Sequence, residues 1–183
     1  MFDYLGGNFP TIDRRSKKQM KDVEMVAQLL LFLEEGVRAY SQEYLDKAFS
    51  DRDISWDAKE EVEKEFCNTV KAIKEILDLS QDINLSKTRL KNQADFYSLF
   101  GAIAELNREN EKLTITRDIG VRINNFLKLV GDTELKNQSK DSLTDYQRNA
   151  LEYYEAVKFS FTDAGTRKTR IRIMKSVIRG NIN

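Results

Sequence analysis

The chain has 183 residues, 40% of them apolar and 33% charged, with thirty basic side chains balanced by thirty acidic ones. That length sustains one domain with a real core, and one proline with eight glycines favours long helices over many short strands. Histidine is absent and cysteine occurs once, which excludes Ser-His-Asp and Cys-His nucleophiles, His-containing or Cys-only zinc sites, and an internal disulfide.

Residues 1–15 read as an N-terminal extension and 16–180 as a single helical domain. At Ser16, "SKKQ" has the form of a capping box with Gln19. Val23, Val26, Leu30, Leu33, Val37 and Tyr40 follow as the seam of a helix of about six turns, widened by Met25, Leu29 and Phe32. A short helix is expected over Gln42–Ser50. A third opens at "SWDAKE", with Asp57 as N-cap and Val62, Phe66, Val70 (or Thr69), Ile73 and Leu77 inward. Residues 79–91 read as a polar connection. A fourth helix starts near Asn92, with Phe96, Leu99, Phe100 and Ile103 marking its core face. The fifth follows "TITRD" and buries Ile119, Ile123, Phe126, Leu127 and Val130, with Gly131 as its stop. "GDTELKNQSKDS" reads as a loop, and a sixth helix runs from Thr144 through Ala150, Leu151, Tyr154 and Val157. The basic segment 167–179 makes the last. No stretch alternates long enough for a strand and no 20–50-residue period repeats. The expected fold is all-α, an irregular bundle of six or seven helices.

The neutral total is a sum of unlike parts. Residues 13–21 carry five basic side chains against Asp13, and 159–183 carry six against Asp163, whereas 57–78 carry seven carboxylates against four lysines. On the last helix, Lys168, Arg172, Lys175 and Arg179 fall within about 60° of one another, apart from the apolar face of Ile171, Met174 and Ile178. Such a stripe suits a phosphate backbone. A solvated face, or a face docked on an acidic neighbour such as 57–65, would look the same. The candidate nucleic-acid contacts are Arg167, Lys168, Arg170, Arg172, Lys175 and Arg179, followed by Arg14, Arg15, Lys17 and Lys18, which precede a helix N-terminus where the dipole disfavours cations.

Other motifs have plainer readings. "DTELK" (Asp132, Glu134, Lys136) has the Glu-x-Lys order of metal-dependent nucleases, but it sits in a loop where they need a strand. The aromatics Phe96, Tyr97 and Phe100, with Tyr153 and Tyr154, sit at helical spacing, as core residues do. Cys67 follows Phe66 among acids, not in the electropositive setting of a reactive thiolate. No Gly-rich phosphate loop is present. No apolar run reaches the ~18 residues of a membrane span, and the N-terminus lacks the order of a signal peptide, so the expected location is cytoplasmic.

Three stretches, "RRSKKQMKDVEMVAQLLLFLEEG", "KNQADFYSLFGAIAELN" and "FTDAGTRKTRIRIM", occur in an order and spacing that resemble the helical C-terminal part of the GmrSD-type restriction-endonuclease N-terminal domain family, from about Asp13 to Ile178. The family is similar to ParB/sulfiredoxin-related nucleotide-hydrolysing DNA-cleavage modules of phage defence. Its Asp-Gly-Gln-Gln-Arg motif and the α/β region that carries it do not occur in this sequence, nor does the His-Asn-His nuclease often fused to it. The resemblance therefore transfers no catalytic residue, and no metal or cofactor is expected. It implies a non-catalytic helical module that supports an absent nucleotide-hydrolysing core and offers basic surface to duplex DNA. Its partners would be DNA phosphates and an upstream α/β domain or partner chain. The alternative is a helical protein-interaction adaptor with no nucleic-acid role.

Overall fold

The computed structural model of the chain describes residues 1–7, 9–109, 113–139, 142–158 and 162–182. Among these the fold is all-helical and without strands. Nine α-helices follow one another: α1 (Phe2–Gly6), α2 (Arg14–Lys18), α3 (Lys21–Glu35), α4 (Gln42–Ile54), α5 (Lys59–Leu79), α6 (Gln93–Arg108), α7 (Arg117–Gly131), α8 (Asp145–Lys158) and α9 (Ala164–Arg179). The expected six or seven omitted α1 and joined α2 to α3.

The junction at Met20 explains the second error. Asp13, not Ser16, caps α2, accepting from the Ser16 backbone N–H at 2.9 Å. The helix ends within five residues, and Met20 takes the left-handed conformation, φ 58°, before α3 begins. α3 stops at Glu35 because Gly36 adopts φ 78°, a conformation open to glycine. Val37 and Tyr40 therefore lie beyond it. α5 begins after Ala58, with no side-chain cap from Asp57.

α6 is the central element. Eleven of its sixteen residues are buried, and it packs against α3, α5 and α9. The contact with α9 is close at Gly101, where a Cβ would stand 2.6 Å from Ile171 Cδ1. α7 buries all five residues expected of it, and Gly120 sits against the last turn of α5, where a Cβ would meet Ser80 Oγ at 1.8 Å. α8 and α9 close the bundle against α7. The 79–91 connection is more ordered than its polarity suggests. Two 3-10 helices, Leu85–Lys87 and Arg89–Lys91, bury Leu85 and Leu90 in the main core. A third, Leu135–Asn137, does the same with Leu135 in the expected loop, of which 140–141 fall outside the described residues. Leu5, Phe9 and Ile12 from the N-terminal extension join that core, and α1 packs on α5. A smaller cluster of Leu31, Tyr40, Leu45 and Ala48 ties α4 to the back of α3.

Candidate functional site

The basic stripe of α9 forms, but carboxylates from three other turns of chain meet it. Lys175 bonds Glu105 Oε2 at 2.8 Å and Glu109 Oε1 at 2.7 Å. Arg179 pairs with the other oxygen of Glu109, and Arg172 with Glu152 at 2.8 Å. The hydrogen bond from Lys175 holds the Glu109 carboxyl below its ordinary pKa, with Arg179 adding to the effect. Lys168 remains exposed. Thus three of the four stripe residues face acids of α6, its C-cap and α8.

Arg167 and Arg170 are corrections of a different kind, because both point inward. Arg170 is fully buried and donates to Ser98 Oγ at 3.1 Å and to the Ala156 carbonyl at 2.8 Å. Burial pulls its pKa down. Arg167, 4% exposed, lies across the rings of Tyr97 and Tyr40 at 4.5 and 5.2 Å. It donates to Gln28 Oε1 at 2.8 Å and to the Arg38 carbonyl at 3.2 Å. Neither can reach a phosphate on the outer surface. A sequence signal for this exists: 167, 170, 174, 177 and 178 continue one buried helical face, and the two arginines occupy its first turn.

The second basic block stays outside. Arg14, Arg15, Lys17 and Lys18 are exposed along α2, with the Lys17 ammonium 6.0 Å from the Phe2 ring centroid. In the nuclease-like triplet, Asp132 accepts from the Glu134 backbone N–H at 2.8 Å and Lys136 lies 3.9 Å from the Tyr154 ring centroid; no group of acids and cysteine suited to a metal occurs among the described residues. Cys67 is exposed and free.

An apolar groove on α3 is the feature that the sequence pattern misassigned. Met25, Leu29, Phe32 and Leu33 face the main core, whereas Val26 and Leu30, expected inside, are half-buried at its edge, Leu30 still packing on it, and Val23 is exposed. Val23 is 48% exposed and Phe49 of α4 is 46% exposed. Phe2, Val23, Val26, Ala27, Leu30 and Phe49, with Asp22, line a hollow of about 330 Å³. It continues through Ala27, Leu30 and Phe49 into a second hollow of about 190 Å³ that reaches Arg52, Asp53 and Trp56. Trp56 and Arg52 are fixed there by bonds to Glu34, Arg52 Nη2 also meeting Glu35 at 2.7 Å.

Comparison of the chain with protein families, with curated proteins and with solved structures finds no match in any of the three. No helix among the described residues is long and apolar enough to cross a membrane.

Proposed function

We propose that the chain is a non-catalytic helical module that works by docking on a protein, with the groove of α1, α3 and α4 as its docking surface. The observation that carries this is the apolar hollow left between the core side of α3 and the α4 that covers Leu31 on its back, with Val23 and Phe49 half-exposed at its wall. Val23, Val26 and Leu30 line this hollow at i, i+3, i+7 spacing.

The occupant that fits is an amphipathic helix of a partner, its apolar i, i+3/i+4, i+7 residues laid between Phe2 and Phe49. Charge of both signs rims it: Asp22 lines the hollow near Phe2 and the α2 cations, and Arg52 and Asp53 edge the far end, so the partner's polar face meets mixed charge. Replacing the exposed Val23 and Phe49 together with glutamate tests the surface. The variant should fold with the parent's melting temperature and lose partner binding. Unfolding would instead make the seam part of the core.

The helical module of a DNA-processing protein, implied by the resemblance, is a second and compatible reading. What supports a nucleic-acid surface is the exposed block Arg14, Arg15, Lys17 and Lys18, together with Lys168. The acidic partners of Arg172, Lys175 and Arg179 weigh against the α9 stripe as that surface.

A further inference from the structure

The smaller of the two joined hollows has a lining of its own. Its buried part is Ala27 and Leu31 of α3 with Ala48 of α4, so two single-carbon side chains stand where larger ones would fill the space. Phe49 and Trp56 add aromatic walls, Phe49 where the hollow opens into its neighbour. The hollow measures about 190 Å³. An apolar cavity of roughly 150 Å³ holds one benzene molecule. This one therefore has room for a single ring and its methylene group, not for a segment of chain.

The polar groups around it are engaged, with one exception. The Trp56 indole N–H donates to Glu34 Oε2 at 3.2 Å. Arg52 meets Glu34 at 2.8 Å and Glu35 at 2.7 Å, and Arg38 meets Glu35 at 3.3 Å. Asp51, further along α4, pairs with Lys47 at 3.6 Å. The two arginines balance the two glutamates. Asp53, exposed at the edge of the hollow, has no ion pair among the described residues and is the charge left over.

We propose that this hollow is the anchor point of the docking surface: it takes one aromatic side chain of the partner, and Asp53 takes a lysine or arginine of the same partner. This anchor, which presupposes the groove as a protein-docking surface, tells what the partner carries, namely an aromatic residue and a basic one a helical turn apart on one face. A ring suits the space better than an aliphatic side chain. Phe49 and Trp56 offer it edge and face contacts, and it buries a large area for the loss of two side-chain torsions. Inside, the contact is apolar. At the mouth, one carboxylate selects a cation.

Trp56 is the only tryptophan of the chain and lines the hollow, so its fluorescence reports the occupant. The probes are phenylpropylamine and phenylpropionate, each with one ring and with opposite charges, titrated separately into the full chain at neutral pH and constant ionic strength. The amine should give a saturable change in Trp56 emission at millimolar concentration. The acid should bind roughly fivefold more weakly, since at one exposed carboxylate an attraction is replaced by a repulsion. Asp53→Asn should bring the two probes to equal affinity with the melting temperature unchanged. Ala48→Leu should fill the space and abolish both responses; should that variant not fold, Asp53→Asn alone decides. No saturable response to the amine, or an amine preference that survives Asp53→Asn, overturns the proposal. The assay contains no partner, so its failure is separable from failure of the docking surface: partner binding that Val23 and Phe49 support, without amine binding at Trp56, removes the anchor and leaves the groove.

Discussion

Arg170 and Lys168 are two residues apart and belong to different worlds. The first is fully buried and bridges α9 to Ser98 of α6 and to the end of α8. The second is exposed. Removing Arg170 opens a cavity and strips the charged donor from two buried acceptors. Arg170→Ala should therefore cost about 3 kcal/mol in urea unfolding, whereas Lys168→Ala should stay within about 0.5 kcal/mol. Equal effects would mean that Arg170 is not a core residue. Composition conceals this difference, since both are simply basic letters in "TRKTRIRIM". Position on the helix reveals it, because Arg170 shares a face with Met174 and Val177.

At the scale of elements, periodicity located the helices well where one face is apolar and poorly where two are. α6 and α7 each show a seam that the fold buries as expected. α3 offers two seams, 23–26–30 and 25–29–32, and spacing alone cannot rank them. What decides is tertiary: α6 and α5 lie on the second side. The stripe of α9 was legible as geometry, but its partners were not, since Glu105, Glu109 and Glu152 reach it from 20 to 70 residues away. This acidic cover makes a prediction about DNA. The parent should bind duplex DNA weakly, and Glu105→Gln, Glu109→Gln and Glu152→Gln combined should strengthen binding and steepen its salt dependence. Each cation turned to a phosphate adds about −0.9 to the log–log slope. A triple variant with the parent's affinity and slope would exclude α9 as even a latent DNA surface. Protonation acts in the same direction. Glu109 has its pKa depressed in the fold, so the stability from its ion pairs is complete above the ordinary glutamate value and fades as pH falls through the lower one.

The molecule as a whole is a main core wrapped around α6 with a smaller cluster behind α3, the α9 stripe mostly paired with acids of the same fold, and an apolar groove beside α3. On the proposed function, the apolar groove is the surface that meets a protein partner. Incorporating a photo-crosslinking residue at Val26, on the floor of the groove, tests it most directly in the cell. The account predicts a discrete adduct with a protein that contributes an amphipathic helix, lost when Phe49 is changed to glutamate, and none from the same probe at Glu63 on the exposed side of α5. A probe at Val26 that captures no more than the probe at Glu63, or an adduct that Phe49→Glu leaves intact, would contradict it.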